Sequence, residues 1–190
     1  MILSKSDKNS ASECVSCLKQ GKVVIIPTDT VYGFSGLAAP DTKLDTNKRI
    51  ISIKGRNEAK PFIQLIAEPE DLKKYTDDSV QQSLLSCWPG PLTIIVNNKL
   101  LKTTTAFRCP GDSWLRSIIT QLDFPIYSTS VNRSGQPVLE SQNEIIREFE
   151  KEVELIITDG DKKSALPSTI VSIADGTTRL IRQGAVSISI

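Results

Sequence analysis

The stretch VVIIPTDTVYG, residues 23–33, decides the fold class of this chain. Four consecutive apolar residues ended by a proline are typical of a strand that is buried inside a sheet. On its N-terminal side, Ser10 and Glu13 form a capping-box pattern that predicts a helix ending at Gly21. A helix followed at once by a buried strand indicates an α/β architecture.

The rest of the chain continues this alternation. Further helices are predicted over about 42–53, once or twice within 68–87, over 113–121 and over about 141–151, where Ser141 and Glu144 repeat the capping-box pattern. Strands are predicted over 62–67, 92–96, 104–109, 125–130, 153–158, 169–173 and 178–182. This order predicts a single α/β domain over 1–190, an open twisted sheet with flanking helices. The strand-rich C-terminal part indicates that the sheet is mixed.

Composition sets further bounds. Hydrophobic residues make up 39% of the 190 residues and the net charge is +1, so a full core is expected and bulk charge gives no reason to bind nucleic acid. No apolar run reaches the ~20 residues needed to span a bilayer, and the first nine residues are too polar for a signal peptide. We therefore expect a cytoplasmic protein without membrane contact.

The chain has four cysteines and no histidine. Cys14 and Cys17 form a C-x-x-C inside the first predicted helix, and Cys87 and Cys109 lie far apart. Structural zinc usually requires two close pairs of ligands, so core thiols are the better interpretation and no metal site is predicted. Without imidazole, any chemistry must depend on cations, hydroxyls, amides and backbone groups.

Hydroxyl side chains follow the buried strand at Thr28, Thr30 and Tyr32. Ligands of open α/β sheets bind beyond strand ends, so these hydroxyls are candidates for holding a small polar molecule. The alternative is a polar turn in which Asp29 caps nearby backbone amides.

Cations cluster after the second helix at Lys54, Arg56 and Lys60. Cations at a helix C-terminus are favoured by the helix dipole, which is the structural alternative. Three cations within seven residues repel one another, however, unless an anion lies between them. Lysine and arginine together suit phosphate oxygens. No G-x-x-x-x-G-K-[ST] pattern is present, so this is not a P-loop.

Arg108 lies near the end of a predicted buried strand, where a charge requires a carboxylate partner or an anionic ligand. Ser130 and Asn132 flank one residue at another strand end, which can direct both side chains to one side; loop capping is the alternative. Ser168 and Arg182 add a hydroxyl and a cation near the C-terminus. Their shared position at strand ends predicts one polar site.

The residues that carry a resemblance occur in a fixed order: PTDTVYGF (27–34), KGR (54–56) with KP (60–61), WPGPLT (88–93), FR (107–108), STSVNRSGQP (128–137), PSTIV (167–171) and LIRQG (180–184). This ordered set resembles the YrdC-like family over roughly 21–184, and in particular its single-domain bacterial type, the threonylcarbamoyl-AMP synthases. The longer relatives carry a further C-terminal domain. The family fold is a twisted mixed sheet around a concave basic groove.

The resemblance implies an enzyme that joins L-threonine, bicarbonate or carbon dioxide, and ATP with Mg²⁺ into threonylcarbamoyl-adenylate, for the t6A modification at position 37 of tRNA. It implies hand-over to a TsaD-type transferase. By motif, the implied catalytic residues are Lys54 and Arg56. The implied ATP contacts are Lys54, Arg56, Lys60, Thr104, Ser130, Asn132 and Arg182, and the implied threonine contacts are Thr28, Thr30, Tyr32, Arg108, Ser128 and Ser168.

The chain departs from the family pattern at Asn57, Leu65, Val131 and Val138, where relatives often carry proline, histidine, alanine and serine. None of these changes removes a candidate cation or the Ser130–Asn132 pair. Two rival interpretations stay open. One is a non-catalytic protein that binds double-stranded RNA in its groove, and the other is a different adenylating or carbamoylating enzyme on the same scaffold.

Overall fold

The structure, a computed structural model, describes residues 1–39, 44–55 and 61–188. In these ranges ten strands and five α-helices alternate along the chain. The strands are β1 (Ile2–Ser4), β2 (Val24–Ile26), β3 (Gly33–Leu37), β4 (Ile63–Leu65), β5 (Leu92–Asn98), β6 (Thr103–Arg108), β7 (Ile126–Ser130), β8 (Leu155–Thr158), β9 (Thr169–Ser172) and β10 (Arg179–Arg182). The helices are α1 (Ser10–Lys19), α2 (Thr46–Lys54), α3 (Gln82–Leu85), α4 (Ser113–Thr120) and α5 (Gln142–Phe149), with a 3-10 helix at Pro69–Lys74.

All ten strands belong to one open sheet in the order β1-β8-β2-β3-β7-β4-β6-β5-β9-β10. The pairs β1–β8, β2–β8, β4–β6 and β5–β9 are parallel, and the other five neighbouring pairs are antiparallel. The predicted mixed α/β sheet is therefore confirmed.

The register assigns each side chain to one of two faces, because alternate residues of a strand point to opposite sides. Helices α1 and α4 pack on the face that carries Val24, Ile26 and Leu37, which we call the α1–α4 face. Helices α2 and α5 pack on the opposite side, the α2–α5 face, which carries Ile25 and Phe34.

Two apolar clusters fill the space between these helices and the β2–β3–β7 part of the sheet. A third lies on the α2–α5 face of β5, β6 and β9, where the 3-10 helix and α3 bury Phe107, Ile94 and Val171. No comparable cluster covers the α1–α4 face of β6, β5 and β9 in the part of the chain that the structure describes. That half of the face is free to hold a ligand.

Local capping differs from the prediction. Asn9, not Ser10, precedes α1, and the Ser10 hydroxyl donates to the carbonyl of Lys5 (3.0 Å). Ser141 does precede α5, but its side chain makes no capping bond, and the amide of Gln142 donates to Asp161 instead (3.0 Å). Both capping boxes are therefore wrong, although both helices exist. Within the described ranges, no helix has the length and apolar character needed to cross a membrane.

Candidate functional site

A pocket of about 310 Å³ opens on the α1–α4 face, beyond the ends of β2, β6 and β7. Six separate stretches of the described chain line it, and most of the predicted site residues are among the lining groups. They are Thr28, Thr30, Val31 and Tyr32; Pro61, Phe62 and Ile63; Arg108; Ser128, Thr129 and Ser130; Pro167, Ser168 and Ile170; and Arg182. The structure thus brings residues 28 and 182 into one cavity.

Arg108 is the most completely bonded cation of the pocket. It is only 4% exposed, and its guanidinium donates to the carbonyl of Gly90 (3.1 Å), the hydroxyl of Thr30 (2.9 Å) and the carboxylate of Asp29. The second carboxylate oxygen of Asp29 accepts from the amide of Gly111 (2.9 Å). The expected carboxylate partner is therefore Asp29, which does not cap the turn that contains it.

The hydroxyls of Thr28 and Thr30 form a chain of hydrogen bonds in which the direction of each bond is fixed. The Thr28 hydroxyl donates to the carbonyl of Val31 (2.8 Å), so in the bond between the two hydroxyls (2.9 Å) Thr30 is the donor. Thr30 in turn accepts from Arg108. Thr28 also accepts from the amide of Thr30 (3.0 Å). Thr28 is thus saturated within the protein, while Thr30 keeps one lone pair beside the guanidinium.

Arg182 enters the pocket from the edge hairpin of β9 and β10. Its guanidinium donates to the carbonyl of Ser168 (2.7 Å), and the Ser168 hydroxyl bonds to Thr93 (2.8 Å). Partial burial of the guanidinium and, second, the charge of Arg108 lower the pKa of Arg182 below its usual value. Both arginines line the pocket, and an anion bound there would offset the repulsion between their charges.

Lys54 lies at the end of α2 and adjoins the pocket through the Ser130–Asn132 segment. It is 4% exposed, and its ammonium donates to the carbonyls of Ser130 (2.6 Å) and Asn132 (3.1 Å) and to the side-chain oxygen of Asn132 (2.8 Å). The ammonium also lies 5.4 Å from the ring of Phe34. Lys54 therefore fixes the conformation of the strand end that carries the Ser-x-Asn pattern.

The Ser130 hydroxyl donates to the side-chain oxygen of Asn132 (2.9 Å), and the Asn132 amide nitrogen donates to the carbonyl of Gln136 (2.7 Å). The lone pairs of the Ser130 hydroxyl therefore remain available as acceptors at the pocket wall. Such an acceptor suits the hydroxyl or amino donors of a nucleoside better than a phosphate oxygen.

Tyr32 lines the pocket but does not present its hydroxyl there. That hydroxyl donates to the carbonyl of Gly160 (2.7 Å) and accepts from the amide of Asp159 (2.8 Å), beyond the end of β8. The expectation that Tyr32 offers a hydroxyl to a ligand is therefore wrong, because the group is already bonded within the protein. The neighbouring Gly33 keeps the pocket open, since a Cβ there would come within 2.8 Å of the Ser128 hydroxyl.

Of the other predicted residues that the structure describes, Thr104 lies outside this pocket lining. Thr104 is exposed and shares the α1–α4 face with Arg108, four residues along β6, where it lines a separate hollow with Asn97 and Lys102. Arg56 and Lys60 lie outside the described residues, and their roles stay predictions. Among the described residues, no group of three His, Cys, Asp or Glu side chains is arranged to hold a metal ion.

The sequence analysis did not identify Arg133, which connects the end of α2 to the residues at the end of α5. Its guanidinium pairs with Glu148 and Glu152 and lies 4.6 Å from the ring of Phe149. It also donates to the carbonyl of Ile53, one residue before Lys54. The four-residue spacing of Glu148, in α5, and Glu152, just beyond its end, was the signal that could have indicated a bound cation.

Comparisons with known proteins agree with this geometry. A model of the Sua5/YciO/YrdC family, described as telomere recombination, matches residues 16–184. The putative threonylcarbamoyl-AMP synthase of Methanocaldococcus jannaschii is 31% identical over 176 residues, which cover 88% of this chain and 82% of that protein. The threonylcarbamoyl-AMP synthase of Pyrococcus abyssi is 29% identical over 178 residues, and the chain spans about half of its length (52%).

A solved structure has the same architecture. The crystal structure of P. abyssi Sua5 complexed with L-threonine superimposes with a TM-score of 0.86 at 26% identity, covering 97% of this chain and 57% of that one. The family model extends over most of the chain. The protein belongs to the Sua5/YciO/YrdC family.

Proposed function

We propose that the protein is a threonylcarbamoyl-AMP synthase, which converts L-threonine, bicarbonate or carbon dioxide, and ATP into threonylcarbamoyl-adenylate and pyrophosphate. The observation that carries this proposal is one pocket that is lined by Arg108 and Arg182 together with Ser130 and the hydroxyls of Thr30 and Ser168. Relatives of similar sequence carry this name, and P. abyssi Sua5 has been solved with L-threonine.

The contacts suggest how the substrates would be oriented. Arg108 is held in place by Asp29, Gly90 and Thr30. Its guanidinium has N–H groups that these three bonds do not use, and they can donate to the carboxylate of threonine. The open lone pair on Thr30 can accept from the ammonium or hydroxyl of the same molecule. Ser130 would accept from the nucleoside, and Arg182 would face the anionic part of the ligand.

The reaction then needs alignment more than a protein nucleophile. The amine of threonine adds to carbon dioxide and loses a proton, which gives a carbamate. A carbamate oxygen attacks the α-phosphorus of ATP, the bond from that phosphorus to the β-phosphate oxygen breaks, and pyrophosphate leaves. Positioning and charge stabilisation supply most of the catalysis in such a step. We propose that Lys54 and Arg56, with Lys60, stabilise the charge on the phosphates.

Magnesium would enter as part of the substrate. Asp29 is occupied by Arg108 and Gly111, so this carboxylate at the pocket is not free to bind a metal. Mg²⁺ is commonly held by substrate phosphates and water with few protein ligands, which suits a pocket of this composition. We propose that MgATP binds as a unit. We also propose that the protein acts in the cytosol and passes its labile product to a TsaD-type transferase.

A pyrophosphate-release assay tests the proposal. Release should require L-threonine, bicarbonate and ATP together, and omission of any one of them should reduce it to background. Release without threonine would indicate a different adenylating enzyme on the same fold. No release under any condition, with salt-sensitive binding of duplex RNA, would support a non-catalytic RNA-binding protein.

A further inference from the structure

A second cavity lies on the α2–α5 face of the same sheet, separated from the first pocket by strands β4 and β7. Its volume is about 470 Å³, within the range of small-molecule sites. Its lining includes the start of α2, the turn between β5 and β6, and the sheet itself. The groups that matter for a ligand are Asp45, Gln64, Tyr75, Asn98, Leu100 and Tyr127.

Gln64 is the strongest indication of a ligand. It lies in the middle of β4, and the residue is only 9% exposed. Its neighbour Ile63 lines the first pocket, so the pleat directs Gln64 to the opposite face. Among the residues that the structure describes, its side-chain amide has no hydrogen-bond partner. An amide that lines a cavity without a protein partner can form hydrogen bonds to a molecule bound there.

Two tyrosines line the cavity near this amide. Tyr75 is stacked on Phe107 with ring centroids 4.9 Å apart, and Tyr127 meets Phe62 edge to face at 6.0 Å. These contacts fix both rings. In the described part of the chain, neither phenol hydroxyl has a hydrogen-bond partner, and burial raises the pKa of both. The cavity therefore offers two rigid aromatic surfaces, each with a neutral hydroxyl.

The cavity differs from the first pocket in the charge of its described lining. Asp45 is the one charged side chain in its described lining, and that carboxylate pairs with Lys48. Asn98 is also occupied, since its amide nitrogen donates to Thr105 (3.1 Å) and its oxygen accepts from the amide of Leu100 (2.9 Å). The described lining therefore contains no cation that could bind a phosphate or a free carboxylate.

We propose that this cavity binds an uncharged, planar heteroaromatic molecule whose edge carries both a hydrogen-bond donor and an acceptor. A glutamine amide can satisfy such an edge with two parallel hydrogen bonds, as it does with adenine. The tyrosines would contact the faces of the ring, and their hydroxyls would bond to its substituents. This site is additional to the pocket that carries the proposed synthase reaction.

The test is a titration of ¹⁵N-labelled protein with two uncharged probes, adenosine and nicotinamide, followed by NMR. At least one probe should shift the side-chain amide signal of Gln64 at millimolar concentration. Gln64→Leu should weaken this binding about tenfold, equivalent to the loss of ~1.4 kcal/mol. Gln121→Leu is the matched control, because Gln121 lies at the exposed end of α4. Ser130→Ala alters the first pocket, where the nucleoside of ATP is proposed to bind, and should leave the affinity measured from the Gln64 signal unchanged.

A second variant keeps the proposal testable if Gln64→Leu does not fold. Tyr127→Phe removes only a hydroxyl that has no partner in the described structure, so this variant should fold. It should still bind the probe more weakly than the wild type does. The proposal is overturned if neither probe moves the Gln64 signal. It is also overturned if the shifts are confined to residues around Ser128 and Ser130, or if both variants bind as tightly as the wild type.

Discussion

Arg108 shows how much of the pocket depends on a single side chain. Its three nitrogens donate to Gly90 and to the consecutive residues Asp29 and Thr30, and thereby join two different segments. A lysine would keep the charge but has a single nitrogen, so it cannot reproduce this planar set of bonds. We predict that Arg108→Lys raises the KM for threonine ~10- to 100-fold, which corresponds to one or two lost charge-assisted hydrogen bonds.

The control for that variant is Arg116→Lys. Arg116 also pairs with a carboxylate, at Glu68 (2.8 Å), but it lies on α4 outside the pocket lining. Steady-state kinetics with varied threonine should distinguish the two substitutions. Equal KM values in both variants would remove Arg108 from the proposed threonine site.

Lys54 is predicted to have a measurable role in stability as well as in activity. Lys54→Met would remove the ammonium donor from the carbonyls of Ser130 and Asn132, and the Asn132 side-chain oxygen would keep only the Ser130 hydroxyl. Unsatisfied buried polar groups cost about 1–3 kcal/mol, and loss of a charge-stabilising group lowers a rate ~10²–10³-fold. Lys54→Met should therefore lower both the unfolding free energy, measured by urea denaturation, and the rate of pyrophosphate release.

Lys99→Met provides the comparison for Lys54→Met. Lys99 also donates to a backbone carbonyl, that of Lys73 (2.9 Å), but it lies at the surface beside Asp77. Its loss should leave pyrophosphate release unaltered. If Lys54→Met retained wild-type stability and release, the holding role assigned to the ammonium would be wrong.

The sequence predicted the positions of these residues better than their partners. Strand ends after buried runs identified Thr30, Arg108 and Ser130 correctly as pocket residues. The pairing of Asp29 with Arg108 could not be predicted, because it depends on the order of the strands in the sheet. The prediction that the Tyr32 hydroxyl is free for a ligand was wrong for the same reason, because its partners Asp159 and Gly160 follow β8.

The hairpin of β9 and β10 depends on a glycine that follows the second strand. A Cβ on Gly184 would come within 2.2 Å of the carbonyl oxygen of Pro167 and 2.6 Å of that of Ser168. These are backbone atoms, so the hairpin would have to move. We predict that Gly184→Ala lowers the unfolding free energy by about 1–3 kcal/mol, as overpacking usually does.

The same substitution should reduce activity, because Arg182 reaches Ser168 from this hairpin. Ser187→Ala is a suitable control, since Ser187 is exposed nearby on the same chain segment. Chemical denaturation of both variants measures the difference. Equal midpoints for Gly184→Ala and the wild type would show that the hairpin adjusts without cost.

Elements with strong apolar runs were predicted within a few residues, but two strands were missed. Strand β3 has the sequence GFSGL, and its two glycines and short length hide the pattern of a central strand. Strand β1 has three residues and exists because it pairs with β8, more than 150 residues away. Both depend on pairing partners that local sequence patterns do not reveal.

The molecule as a whole should lose stability at alkaline pH. Burial raises the pKa of Cys14 and of Cys109 from 9.0 to about 12, and burial also raises the pKa of Tyr32, Tyr75 and Tyr127. Above pH 9 the unfolded chain therefore releases protons that the folded protein retains. By linkage, the unfolding free energy should fall as the pH rises from 9 towards 12, and these thiols should have no such effect below pH 9.

Urea denaturation at several pH values measures this slope. Cys14→Ala removes one of the shifted groups, so its unfolding free energy should depend less steeply on pH between 9 and 12 than that of the wild type. Cys109→Ala should behave in the same way. Identical slopes in all three proteins would mean that the thiols do not contribute to the alkaline transition.

The order of the pocket residues along the chain has a consequence for synthesis on the ribosome. Among the described residues, the first contributor is Thr28 and the last is Arg182. A nascent polypeptide in which Arg182 is still inside the exit tunnel cannot assemble a complete cavity. Capture of the amino acid would therefore report that synthesis has passed the hairpin of β9 and β10 and that this hairpin has docked.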